Sequence, residues 1–275
     1  YLVPGRTGEM RYGHIDLKDS LLHDGLWDPF EDWPMGDAAD YIATEYKATR
    51  EAMDEFSAKS QEKAVAAIEA GKFKDEIIPV EVPGRKGKAM IFDTDEGPRA
   101  GTTAEGLAKL RPVFSKNGRT TAGNASTLND GAAAAVISSR AYAESNNLKP
   151  LARIVSYGHA AVQPKRLFAA PAQAMPKILA KAGWTFDDVD LIELNEAFAA
   201  QCLANGYELA EQGWDWDKVN VNGGGIALGH PIGASGARII ATLIYALKDR
   251  GLKRGLAALC LGGGEAVAMT IEIEE

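Results

Sequence analysis

From Ala152 onward the chain alternates short β-branched or aliphatic runs with amphipathic stretches of helical period, and this alternation limits the fold more than any other feature. Strands are predicted at Ala152–His159, Val189–Leu194, Val219–Asn222, Leu256–Cys260 and Val267–Ile273, and helices at Ala172–Ala182, Ala197–Gln212 and Ala234–Arg250. Elements in this order build a layered α/β structure. Only Leu261-Gly262-Gly263-Gly264-Glu265 separates the last two strands, which makes them a hairpin and the sheet mixed.

The chain before Ala152 has a different texture. Residues 1–36, rich in Gly, Pro, Trp and Asp, read as irregular loop. A helical pattern runs from Asp37 to Ala70, with Thr49 as an N-cap and Gly71 as its end. A strand is predicted around Ile77–Val82, before a basic turn at Pro83–Lys88, and a short helix near Glu105–Leu110. Gly131–Ile137 is a small-residue strand candidate, with a helix at Arg140–Asn146 after it.

The composition excludes several classes. Across 275 residues, 30 basic against 38 acidic side chains give a net charge of −8, unlike a dedicated nucleic-acid binder. The longest apolar run, Ile239–Leu247, is far short of the ~20 residues a membrane span needs, so no membrane association is expected. Two cysteines make no disulfide framework and place the chain in a reducing compartment, the cytoplasm or an organelle matrix. His14, His23 and His159 have no partners at metal-ligand spacing, so no metal site is expected.

Three segments carry the residues of chemistry. In the first, glycines at 223, 224, 225, 229, 233 and 236 surround Gly229-His230-Pro231. The spacing is neither that of a P-loop nor that of a Rossmann fingerprint. It leaves a histidine held by proline at a strand-to-helix turn, where free amides favour negative charge. The second is Cys260-Leu261-Gly262-Gly263-Gly264, which puts a thiol at a strand end among free amides that favour the thiolate. The direction of its strand is left open. Cys202, in mid-helix, reads as structural. The third is Asn195-Glu196-Ala197-Phe198, where Asn195 is either a helix cap or an amide positioned for a water or oxyanion. Between Arg85 and Arg119 eight basic and four acidic side chains suggest a surface for a polyanionic small molecule, with Arg99 and the backbone near Ser126 as candidates.

Together these segments, with Asn124-Ala125-Ser126-x-Leu128-Asn129-Asp130-Gly131 and Asp75-Glu76-Ile77-Ile78-Pro79, resemble the thiolase family over essentially the whole chain. The resemblance implies two βαβαβαββ halves in an αβαβα layering with mixed sheets and an inserted loop domain. Residues 1–126 would be most of that loop domain, 127–149 the last strand and helix of an incomplete first half, and 150–275 the complete second half. It also implies an acyltransferase that runs reversible Claisen condensation and thiolysis of acetyl-CoA and 3-ketoacyl-CoA, acetoacetyl-CoA first, without a cofactor beyond coenzyme A thioesters.

By the same resemblance His230 activates a nucleophilic cysteine and Cys260 moves the α-proton. Asn195 holds a water beside His230, and the Gly262 amide serves an oxyanion hole. Ser126, Arg99 and Met35 contact the coenzyme. Neither Cys202 nor Cys260 matches the family's acylated cysteine, so an N-terminal fragment that carries it is the expected partner, within a homodimer or homotetramer. Trp33-Pro34-Met35-Gly36 and Leu167 depart from the short-chain pattern, which leaves acyl length open. The alternative reading is a non-catalytic CoA-binding or scaffolding chain.

Overall fold

A computed structural model describes residues 17–84 and 87–274. Residues 1–16, with His14, and the Arg85-Lys86 part of the basic turn lie outside the described residues. The first part of the chain contains α1 (Ser20–Gly25), β1 (Trp27–Asp28), β2 (Trp33–Pro34), α2 (Met35–Glu45), α3 (Arg50–Glu69), β3 (Val80–Pro83), β4 (Ala89–Phe92), α4 (Ala104–Leu107) and α5 (Arg140–Ser145). The second contains β5 (Ala152–Ala161), α6 (Ala170–Ala182), β6 (Leu191–Leu194), α7 (Ala199–Leu209), α8 (Gly225–Leu228), α9 (Ser235–Arg250), β7 (Arg254–Leu261) and β8 (Glu265–Ile273).

The second part is built on one four-stranded sheet in the order β5-β8-β7-β6. β6 and β7 run parallel and the other pairs antiparallel, with Leu261 opposite Glu265 across the expected hairpin. Side-chain alternation along β7 divides the core. Leu256 and Ala258 join Ile192 and Leu194 of β6 beneath α6 and α7, whereas Ala257 and Leu191 turn to the opposite face under α9. α2 and α3 stack outside α7, so the layers run α9, sheet, α6 with α7, then α2 with α3. Gly251 ends α9 at φ 64°, a conformation that costs glycine little.

Several predicted elements differ. The helical stretch from Asp37 to Ala70 is two helices, because Lys47 adopts φ 56° between them; Thr49 caps α3 by accepting from Ala52 N at 3.2 Å. The strand expected from Ile77 starts only at Val80, and the Glu105–Leu110 helix is one turn ending at Leu107. Gly131–Ile137 forms no strand, so of the elements assigned to residues 127–149 only the helix is present. Val136 and Ile137 stand 97% and 74% exposed, with no strand alongside among the described residues to complete a ladder. Val219–Asn222 makes only isolated bridges, Ile192 to Val219 and Val221 to Gly223. There Asn220 takes φ 45° and its side chain replaces the ladder, accepting from Leu194 N at 2.9 Å and donating to Leu194 O at 2.8 Å.

Candidate active site

Parallel pairing of β6 and β7 puts their C-terminal ends at one edge of the sheet, which settles the strand direction at Cys260. Asn195 directly follows β6, and its backbone N–H donates to Ala258 O at 3.0 Å, two residues before Cys260. α9 begins at the same edge: a Cβ on Gly236 would lie 3.9 Å from Leu259 Cδ1. Strand ends gathered in this way are where sites collect in α/β sheets.

His230 enters between α8 and α9. Gly229 turns the chain at φ 97°, a conformation that favours glycine, and a Cβ there would fall 2.3 Å from the end of the Asn129 side-chain amide. The His230 N–H then donates to Thr127 O at 3.2 Å, and Ser126 N donates to Ala197 O at 3.0 Å, which ties the loop to the segment around Ser126. The ring is held from both sides. Nε2 lies 3.3 Å from Asn195 Nδ2, and Nδ1 lies 2.5 Å from Ser235 Oγ.

The tautomer follows from the network. Ser235 Oγ donates its hydrogen to Pro231 O at 3.0 Å, so toward the ring it accepts. Nδ1 therefore carries the proton, and the Nε2 lone pair faces the Asn195 amide. Burial, aided by the nearby Arg238 guanidinium, lowers the imidazole from 6.5 to about 4. At neutral pH the ring is an uncharged base. Asn195 is itself 1% exposed, and its Oδ1 has no hydrogen-bond partner among the described residues.

Cys260 lies opposite Ala266 on β7 and packs, with Trp33, Met35 and Phe198, against a core that contains Leu167, Ala197 and Ile226. The free amides around it were expected to lower its thiol. Instead burial pushes it up to about 12, outweighing the backbone hydrogen bond that favours the thiolate. Gly263 and Gly264 turn the hairpin at φ 81° and 94°, and Gly262 is exposed beside them. The β1–β2 hairpin covers this turn, with Phe30 Cε2 3.5 Å from a Cβ placed on Gly263. Cys202 is the buried structural thiol expected of it, its Sγ 3.6 Å from Gln201 Oε1.

Of the predicted residues, Asn195 and His230 are in direct contact, and Cys260, Gly262 and Met35 belong to the same end of the molecule. Arg99 connects less directly: its backbone N–H donates to Gln61 Oε1 at 2.8 Å, and Gln61 Nε2 donates to Ile226 O at 3.4 Å. With Lys59, Glu62 and Ala104 it lines an open groove of about 500 Å³ along α3. Sequence reasoning missed Ser235, whose signal was its place in the first turn of the helix that the histidine loop enters. Among the described residues no cluster suited to a metal ion occurs, and no helix is long and apolar enough to cross a membrane.

Two family models match the sequence, described as "Thiolase, N-terminal domain" over residues 3–141 and "Thiolase, C-terminal domain" over residues 148–273. An acetyl-CoA acetyltransferase of Pseudomonas aeruginosa is 56% identical over 98% of this chain and 68% of its own length. The Cupriavidus necator enzyme of the same name is 51% identical over 99% and 68%. The crystal structure of the Bacillus anthracis acetyl-CoA acetyltransferase superposes with a TM-score of 0.91 at 45% identity, covering 99% of this chain and 68% of that one. Human mitochondrial 3-ketoacyl-CoA thiolase does so with 0.91 at 39%, covering 100% and 68%. These matches run from end to end of the chain and lend no support of their own to the expected separate fragment.

Proposed function

This chain belongs to the thiolase family, and from that premise we propose that it transfers an acetyl group between coenzyme A thioesters, by reversible Claisen condensation and thiolysis with acetoacetyl-CoA as the foremost substrate. The observation that carries the reading is the Asn195–His230–Ser235 hydrogen-bonded chain at the strand end that also bears Cys260.

The chemistry follows from the two depressed or raised groups. A neutral imidazole whose unprotonated Nε2 faces the Asn195 amide can take a proton from a thiol nucleophile and return it later. Asn195 fixes that face of the ring and, through a water, would help to hold the thioester oxygen as charge develops on it. A thiol pushed up to about 12 rests protonated, ready to donate to a carbanion or leaving thiolate. Once deprotonated it is a strong base, suited to the weakly acidic α-carbon of a thioester. The Gly262 amide, exposed at the hairpin, would face the second oxyanion. Ser126, Arg99 and Met35 would hold the coenzyme, in a loop domain of residues 1–126 that serves the half made by 150–275. No metal or organic cofactor is needed, since the coenzyme A thioesters are the substrates.

We assign the acylated cysteine to a part of the enzyme outside residues 1–275, in a dimer or tetramer in the cytoplasm or an organelle matrix. Supporting this, Cys202 is buried within α7, and the family resemblance gives Cys260 the proton-transfer role rather than the acylated one. Acetoacetyl-CoA cleavage and intact mass after incubation with acetyl-CoA test the reading. In the complete enzyme, turnover that falls at least ~10²-fold in His230→Ala is expected. Unchanged turnover in that variant, or acetylation of Cys202 or Cys260, would overturn the assignment.

A further inference from the structure

The glycines before His230 do more than bend the chain; they make room for a carboxylate. Glu196 follows Asn195 but points the other way, into the interior, and is 1% exposed. Its Oε1 accepts from Asn220 Nδ2 at 2.8 Å, and its Oε2 accepts from Ser60 Oγ at 2.6 Å and from Ile226 N at 3.1 Å. Ser60 Oγ in turn accepts from Gly224 N at 3.2 Å. A Cβ on Gly224 would sit 2.3 Å from Glu196 Cδ, and one on Gly225 would sit 2.8 Å from Glu196 O. The loop is therefore closed directly onto this side chain.

From there the hold passes to the histidine along a short hydrogen-bonded path. Leu228 N donates to Gly224 O at 2.8 Å and Gly229 N to Gly225 O at 2.9 Å, and Gly229 is covalently next to His230. On the other side Asn220, which binds Glu196, also clamps Leu194 at both its N–H and its carbonyl, immediately before Asn195. One carboxylate thus anchors both members of the Asn195–His230 contact from behind. Every group that meets its two oxygens is a donor, a set that a carboxylate satisfies and a primary amide cannot. Burial raises the Glu196 carboxyl above its ordinary range, and the hydrogen bonds from Ser60, Asn220 and Ile226 together with the charges of Lys63 on α3 and Arg238 on α9 oppose this.

We propose that Glu196 is a positioning residue for acetyl transfer: its buried carboxylate, held by Ser60, Asn220 and Ile226, sets the register of Asn195 against His230. The inference rests on the acetyl-transfer reading above. In the complete enzyme, Glu196→Gln places an amide N–H₂ against donors and shifts the loop. A misplacement on the order of 1 Å in a catalytic group costs about 10²-fold, so kcat should fall by that order while KM for acetoacetyl-CoA changes by less than about threefold. Ser60→Ala removes one donor and should lower kcat about tenfold, again at nearly constant KM. The ring nitrogens of ¹⁵N-labelled His230 should also shift in both variants, since the Asn195 contact at Nε2 is altered.

The outcomes separate the two readings. An inactive wild type with a shifting imidazole refutes acetyl transfer and leaves the positioning role standing. An active wild type whose Ser60→Ala and Glu196→Gln variants keep kcat within about twofold, with unmoved imidazole signals, overturns the positioning role. A raised KM at unchanged kcat overturns it too, by making the effect one of substrate binding. If Glu196→Gln fails to fold, Ser60→Ala decides alone by the same kcat, KM and imidazole readouts.

Discussion

Replacing His230 by glutamine should remove a specific piece of acid sensitivity from the fold. The imidazole titrates at 6.5 when free and at about 4 in place, because burial and the Arg238 charge disfavour the imidazolium. As pH falls below 6.5, the unfolded chain takes up a proton that the folded chain refuses until about 4. Stability must then fall with pH across that window. At 1.36 kcal/mol per tenfold, the shift from 6.5 to about 4 amounts to about 3 kcal/mol, fully lost by pH 4. Glutamine keeps a hydrogen-bonding amide in place of the ring and carries no titrating group.

Wild type alone would not show this cleanly. Burial raises Glu193 from 4.5 to about 8 and Glu76 from 4.5 to about 7, so the folded chain keeps protons that the unfolded chain releases. That contribution is fully present below 4.5 and is lost as pH rises through 7 and 8, opposite in sign to the histidine's. Both carboxyls are present in both proteins, so they cancel in the difference. Equilibrium urea unfolding from pH 4 to 7.5, followed by tryptophan fluorescence at matched m-values, gives that difference. The advantage of wild type over His230→Gln should be constant above pH 6.5 and shrink by about 3 kcal/mol toward pH 4. A difference that does not vary with pH would mean that the imidazole charges freely in the fold, and would refute both its burial and its role as a neutral base.

Cys260→Ser should suppress exchange of deuterium into the acetyl-CoA methyl group while acylation of the enzyme persists, because a hydroxyl is a far weaker base than a thiolate; mass spectrometry of substrate and protein reads the two steps separately. Gly224→Ala should lose about 1–3 kcal/mol in urea unfolding, since the new Cβ lies 2.3 Å from Glu196 Cδ in a closed interior; stability equal to wild type would contradict the packing of that loop. Glu193→Gln should flatten the loss of stability between pH 4.5 and 8 that a carboxyl raised to about 8 imposes, with Arg238 Nη1, 3.4 Å away, left without that carboxylate.

The parts that were legible in the sequence depend on local chemistry. Thr49, Gly71 and Gly251 mark helix ends because capping and positive φ are decided by one residue and its neighbours. The short turn Leu261–Glu265 was readable as a hairpin for the same reason. His230, Cys260 and Asn195 were legible as motifs, but their convergence required the parallel register of β6 and β7, which no spacing records. What misled was propensity without a partner. Gly131–Ile137 has strand composition and, among the described residues, no strand beside it, and Val219–Asn222 gives its backbone ladder to the Asn220 side chain. The raised Cys260 thiol was hidden for a similar reason: amides near a thiol can be counted in sequence, whereas the packing of Trp33, Met35 and Phe198 over the same core cannot.

The strand order β5-β8-β7-β6 also governs how the molecule can be made. β8, the last of the described strands, lies inside the sheet, and Ala152 at the start of β5 pairs with Ile273 at the end of β8. While a ribosome is still delivering residues after Gly251, β5 has no neighbour, and α6 has none of the β8 surface that later completes its floor. The apolar side chains of both wait in contact with water or with chaperones. Closing so distant a pairing is slow, because the loop entropy is lost before the ladder forms. The sheet thus becomes whole only once β8 has been made, and a chain interrupted before β8 lacks the middle of its sheet rather than an edge.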